Sequence, residues 1–469
     1  MEYKFSKAEF DDVFNNNKNN IRHRPGHRFL MFPFTTKDAD ALESFTNCIG
    51  NYLCLGRGIK PQFQNPHELV ERMKEKGLSI EKDEDTFENI IETFFYKKSI
   101  EDGEVVYKFK PINLNFIEQN YSDESTEKKN ANFAFDVLGD PETISKDINE
   151  ITQSKQSFNA LEKCVEGALK MSTSKIHQDK AYYKLTHVFD EVFNEDFNYV
   201  IHDQTCVEEY FSLFFDFYIF NYCSQSVLLL DRFTNGNRNQ MIPLYYSIQW
   251  EKTNQNRKCY TNGWRSLERK AGSLFAHANA LEMLNQTEEI FEEPLDYITL
   301  EHLVETNQLD DQSVALQIDE ITNYYRSLIS DVPQILNVEK DNISKTATEA
   351  SIKWLYKTIR VQFENSQHRG SRYNSYAKFF EKLALGFLKN RGRSGRVLNI
   401  SEELLIFLTK ICIKDKEQIR LVDLFSEFER RGVFLDNSSK NAVSEYYEKL
   451  NVIEKKSDSG DAKYVRKIL

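Results

Sequence analysis

Apolar residues recur three and four positions apart along most of this 469-residue chain, the spacing that lays one stripe along a helix. The pattern is most persistent from Ile144 to Phe233, for instance at Phe158, Leu161, Val165 and Leu169, and predicts a helical scaffold. Val207 to Leu230 is the most apolar run, yet Glu208, Glu209, Asp216, Asn221 and Gln225 interrupt it. A bilayer span needs about 20 predominantly apolar residues with few or no charges, so this run reads as a core helix and implies no membrane. The period changes at Met241 to Trp250, rich in Tyr, Ile and Trp after the turn Asn235-Gly236-Asn237, which predicts a strand or two. WEKTNQNRKCYTNGW, Trp250 to Trp264, is full of turn formers and reads as an ordered surface loop.

The last seventy residues alternate between periods. Ser401-Glu402-Glu403 caps a helix whose apolar face is Leu404, Leu405, Phe407, Leu408 and Ile411. A strand at Gln418 to Leu421 precedes a second helix, Val422 to Arg431, which carries Leu424, Phe425 and Phe428 and stops at Gly432. Asp436-Asn437-Ser438 opens a third helix with Ala442, Val443, Tyr446, Tyr447 and Leu450 as its stripe. Asn451 to Lys456, a turn at Ser457 to Asp461, and Lys463 to Leu469 form a hairpin. Helix, strand, helix, helix, hairpin is the order of a winged helix, whose third helix enters a major groove while the wing touches backbone.

Gly 17 and Pro 9 are sparse for such a length, which removes most hairpin turns and leaves a mainly α protein. The expected organisation is a multi-domain helical body with a C-terminal winged-helix module. Its parts are a mixed or helical region at 1–140, a central helical domain with a strand and loop insertion at 141–345, a basic helical linker at 346–396 and the winged helix at 397–469. The seven scattered cysteines form no CxxC pair and fit reduced thiols, while the charged start MEYKFSKAEFDDVF has no signal-peptide pattern, so a cytoplasmic location is expected.

A formal net charge of −12 argues against a nucleic-acid binder until it is divided. From Thr346 onward there are 24 Lys and Arg against 16 Asp and Glu, or +8; the remainder has 61 − 24 = 37 against 73 − 16 = 57, or −20. Between Lys353 and Arg396 eleven cations, among them Lys378, Lys382 and Lys389, face only Glu364 and Glu381. Aromatic residues are interleaved there, and cations with aromatic faces suit phosphates and bases respectively. Trp354, Ile359 and Phe363, and Tyr376, Phe379, Phe380, Leu383 and Phe387, also keep helical spacing, so most of these rings are expected in the core. The candidate nucleic-acid contacts are Lys353, Lys357, Arg360, Arg369, Arg372, Arg391, Arg393 and Arg396 in the basic segment, Lys440 and Lys449 on the third helix, and Lys455, Lys456 and Lys463 in the wing. NRGRSGR, Asn390 to Arg396, has the glycines and arginines of an anion-binding loop, and equally those of a helix stop, near Lys389, followed by a linker. With Glu445 and Glu448 beside its lysines, the third helix suits backbone contact or protein docking better than base readout.

The motifs GxxxxGK[ST], GxSxG, HExxH and GxGxxG are absent, so no catalytic residue, cofactor or small-molecule substrate is implied. His23 and His27 are four apart, but Pro25 and Gly26 break the helix that metal sharing requires; Arg22, Arg24 and Arg28 suit an anionic partner instead. Glu268-Arg269-Lys270 is a minimal nuclease-like triplet better read as a surface helix. A dispersed metal-dependent nuclease and a pure assembly scaffold stay open beside the DNA-engaging reading.

LVDLFSEFERRGVFLDNSSKNAVSEYYEKLNVIEKKSDSGDAKYVRKIL, with KNRGRSGRVLNISEELLIFL and WEKTNQNRKCYTNGW, resembles the DptG family, the middle component of the three-protein DNA-phosphorothioation-dependent restriction system of bacteria. The resemblance is densest over the last eighty residues. It implies a non-catalytic defence subunit that works with two ATPase partners, DptF and DptH, against DNA lacking backbone sulfur, and it supplies no catalytic residues.

Overall fold

The long apolar run lies in the helix Gln204–Leu230, capped by the Asp203 carboxylate, which accepts from Cys206 N. A helix apolar on every side can only be buried, and 89% of its most apolar stretch is inside the protein. The computed structural model describes residues 2–14, 21–33, 44–62, 64–101, 103–153, 159–169, 180–341, 343–367, 370–455 and 463–468. They are mainly helical, as the periodicity predicts, with nine short strands. The scaffold helices are Pro141–Gln153, Ala160–Ala168 and Asp190–His202; Phe158 lies outside the described residues.

Aromatic rings tie the rest of the chain to that central helix. Phe193 and Tyr218 meet edge to face at 5.0 Å, Phe45 stacks on Phe215 at 4.7 Å, and Phe387 stacks on Phe220 at 4.7 Å. The core formed this way runs from Tyr3 to Val465. All seven cysteines are free thiols, six of them buried. A second, smaller core near the N-terminus is built from Leu69, Ile91, Phe95, Tyr96, Phe109 and Val165. It seats a hairpin of β1 (Tyr96–Glu101) and β2 (Glu104–Phe109), the strand part of the mixed region expected at 1–140.

β3 (Tyr245–Ile248) falls within the run where a strand is expected. Its partners come from the C-terminal third: β4 (Leu388–Asn390), β5 (Arg396–Ile400) and β7 (Phe434–Leu435) join it in the order β4-β5-β3-β7, with β3 parallel to both β5 and β7. Two expectations change here. The helix expected to stop near Lys389 is Gly370–Ala384, followed by a single 3-10 turn and β4. NRGRSGR is the reversal of the β4–β5 hairpin rather than a linker: Gly392 (φ 62°) and Gly395 (φ 81°) take left-handed conformations and Arg391 N donates to Gly395 O at 2.8 Å. The boundary placed between 396 and 397 therefore falls inside β5. The run Trp250 to Trp264 is not all loop either, since Lys258–Thr261 is a short helix.

From Ser401 onward the order follows the periodicity. Helix Glu402–Ile413 is capped by Ser401, β6 (Gln418–Arg420) leads into helix Leu421–Arg430, and Gly432 (φ 83°) ends it. Helix Asn437–Lys449 is capped by Asp436, and β8 (Ile453–Lys455) and β9 (Lys463–Arg466) close a three-stranded sheet, β6-β9-β8. Leu450 is 40% exposed rather than part of the buried stripe, and the expected turn at Ser457 to Asp461 lies outside the described residues.

Candidate nucleic-acid interface

The predicted cationic surface is largely neutralised from within. Lys353 pairs with Glu349 at 2.8 Å, Arg360 with Glu364 at 2.7 Å, and Lys357 stands 3.8 Å from Asp341. Lys440 pairs with Glu429 at 3.0 Å, and Lys463 with Glu448 at 2.9 Å. Arg391 is a structural arginine. Its guanidinium donates to the backbone carbonyls of Gln249, Ile248 and Glu251 and to Ser247 Oγ and Asn399 Oδ1, at 2.8–3.4 Å, and burial lowers its pKa. Arg393 and Lys449 are exposed and carry no ion pair among the described residues. Arg369, Lys456 and the side chains of Arg372 and Lys455 lie outside those residues.

The front of the third C-terminal helix is also occupied. In helix-turn-helix readers the N-terminal residues of that helix meet the bases. Here Asp436 receives Arg257 Nε at 3.0 Å, buried Ser439 bonds Arg257 at 2.8 Å and Glu251 at 2.9 Å, and Tyr446 packs on Trp250 with ring centroids 4.4 Å apart. What remains exposed is Asn437, Ser438, Asn441, Glu445, Glu448 and Lys449, a face with little positive charge.

Positive charge does gather around Arg396. This residue bonds Glu268 at 2.7 Å on helix Trp264–Ala271 and Glu381 on helix Gly370–Ala384, and lies over the Trp264 ring at 5.6 Å. Each glutamate has a cation three residues before it and another one residue after: Arg265 and Arg269 on one helix, Lys378 and Lys382 on the other. Residues three and four apart are neighbours on a helix surface, so Arg265 adjoins both Glu268 and Arg269, and Lys378 adjoins both Glu381 and Lys382. Arg265, Arg269 and Lys378 are exposed and Lys382 half-buried, all four without an ion pair among the described residues. With Arg393 in the adjoining turn, six cations stand against two carboxylates, 6 − 2 = +4, and both carboxylates are engaged by Arg396. The sequence reading noted Lys378 and Lys382 but missed Arg265 and Arg269. The signal that finds them is the same cation–Glu–cation spacing on two helices.

Beside helix Trp264–Ala271 lies a cleft of about 320 Å³ lined by Arg232, Ile242, Pro243, Tyr245, Lys258 and Asn262, two cations and no carboxylate. Lys258 sits 5.1 Å from the Tyr245 ring centroid. Of the arginines expected to meet an anionic partner, Arg22 and Arg24 are exposed and without an ion pair among the described residues, whereas the segment around Arg28 is held internally. The carboxylate of Glu282, fully buried, accepts from the backbone N–H of Gly26, His27, Arg28 and Phe29 at 2.9–3.1 Å, and Arg28 pairs with Glu9 at 2.6 Å. His23 is buried, bonded to Tyr325 Oη at 2.9 Å. Glu268 and Lys270 of the nuclease-like triplet are committed to Arg396 and Asp231. No group of three His, Cys, Asp or Glu that could hold a metal ion occurs among the described residues. No protein-family model matches the chain, and no curated protein does.

Proposed function

We propose that this chain is a non-catalytic, DNA-engaging adaptor subunit of a phosphorothioation-dependent restriction complex, a cytoplasmic partner of the ATPases DptF and DptH. The observation that carries the DNA-contacting part is the +4 face around Arg396, four of whose cations stand on two packed helices that Arg396 ties together through Glu268 and Glu381. Such a face suits phosphates and not bases, because lysine and arginine neutralise backbone charge without regard to sequence. Residues 402–468 are a winged helix in this reading, used for docking. The element order and the β6-β9-β8 sheet support it, and the seated N-terminus of its third helix favours protein contact over groove insertion. That same seating favours a second reading, an assembly scaffold without DNA contact.

Duplex binding measured against salt separates the two. Each phosphate contact contributes about −0.9 to the log–log slope, so replacing Arg265, Arg269, Lys378 and Lys382 with Ala flattens it by about 3 to 4. An unchanged slope removes this face from DNA contact, and no duplex binding at low salt leaves the scaffold.

A further inference from the structure

The β1–β2 hairpin has an open edge, and its sequence is complementary to itself. Lys110 N donates to Phe95 O at 2.8 Å, which sets the alternation of the ladder: 97/108, 99/106 and 101/104 exchange hydrogen bonds inside the hairpin. The backbone groups of Val105, Tyr107 and Phe109 therefore point outward from β2. At Phe109 both are satisfied, N by Asn120 Oδ1 at 2.5 Å and O by Asn120 Nδ2 at 2.8 Å. At Val105 and Tyr107 the outward groups have no partner among the described residues. An unprotected edge of this kind is a template for another strand.

Exposed apolar surface concentrates at the same place. Of twelve large hydrophobics that stand exposed in the described structure, four lie within sixteen residues: Ile90 and Phe94 on helix Glu84–Phe95, and the cross-strand neighbours Ile100 and Val105 at 77% and 50% exposure. Grouped apolar exposure marks interaction surfaces.

We propose that the β2 edge pairs antiparallel with the β2 edge of a second copy of this chain, the two-fold axis passing through Val106. This register pairs the free groups with one another: Val105 of each chain exchanges both hydrogen bonds with Tyr107 of the other. It sets Val106 against its counterpart in a non-hydrogen-bonded pair, and Glu104, exposed and without an ion pair among the described residues, opposite Lys108 of the second copy. Lys108, already 3.6 Å from Glu127, then bridges two carboxylates as Lys74 does between Glu71 and Glu84. An unrelated extended peptide would fill the same edge without needing the Glu104–Lys108 match; the self-complementary charge favours a second copy.

The test uses the full chain. Sedimentation equilibrium gives twice the single-chain mass for the natural sequence and the single-chain mass for Val105→Pro, which removes an outward N–H and leaves the hairpin ladder intact. Circular dichroism confirms that the variant folds. Val106→Cys is the register test, since Cα atoms of a non-hydrogen-bonded pair lie about 4.5 Å apart, within disulfide reach. Mild oxidation then yields a covalent dimer, whereas Glu104→Cys and the natural chain do not cross-link. A chain that stays single at all concentrations, or a dimer indifferent to Val105→Pro with no cross-link through Val106→Cys, overturns the proposal.

Discussion

The Arg431 guanidinium lies side-on against the Asp196 carboxylate, Nε to Oδ2 at 2.6 Å and Nη2 to Oδ1 at 2.7 Å, both side chains closed off from water. Tyr218 Oη donates to the same carboxylate at 2.6 Å, and Lys414 and Arg430 pair with Asp196 and Glu195 nearby. Hydrogen bonding from Arg430 pulls Glu195 down to about 2. Removing one partner of a buried pair strands the other charge in a dry site, at a cost of about 3–5 kcal/mol. Asp196→Ala is expected to lower unfolding free energy by that amount in urea titration. Asp196→Leu combined with Arg431→Met is expected to lose less than either single change.

Arg391 belongs to the sheet and not to the proposed DNA-contacting face. Arg391→Lys leaves several of its five acceptors unmet, because one ammonium cannot reproduce a planar fork. A stability loss of about 1–3 kcal/mol is expected, with the salt slope of duplex binding unchanged. A slope that falls by about 0.9 would instead make Arg391 a phosphate contact.

Glu282 holds the chain at 26–29 through four backbone donors. Glu282→Ala orphans them, each costing about 1–3 kcal/mol where water cannot reach. Limited proteolysis is expected to cut the variant between residues 22 and 33 long before the natural chain.

Burial holds the His277 imidazole down at about 3, with its ring stacked on Tyr356 at 4.2 Å. The same group in the unfolded chain takes up a proton near pH of about 6.5. Between these values the unfolded state binds more protons, so this contribution is full above pH of about 6.5 and is lost as pH falls toward 3. His277→Phe is expected to flatten the stability–pH curve over that window. A slope equal to that of the natural chain would show that His277 is not held neutral.

Helices were legible because their signal is local: the caps Ser401 and Asp436 and the stripe Leu424, Phe425, Phe428 each lie within one turn of what they specify. The mixed sheet was not, because β7 is two residues long and β3 finds its partners more than 140 residues downstream. Charge counted along the chain hides its pairing. Lys353 and Arg360 are matched by Glu349 and Glu364 one turn away, whereas the Glu268 partner of Arg396 lies 128 residues upstream. Arg391 and Arg393 are separated by one residue, yet one is tied beneath the hairpin and the other projects from its turn.

The strand at Tyr245–Ile248 has a consequence for how the protein is made. Its flanking partner at Ile400 emerges 400 − 248 = 152 residues later, and at roughly 5–20 residues per second a ribosome needs about 8–30 s to supply it. During that interval Tyr246 and Ile248, both fully buried in the finished molecule, have no sheet to enter. The nascent chain therefore carries an unpaired apolar strand, the kind of segment that holding chaperones cover, until its last seventy residues are released.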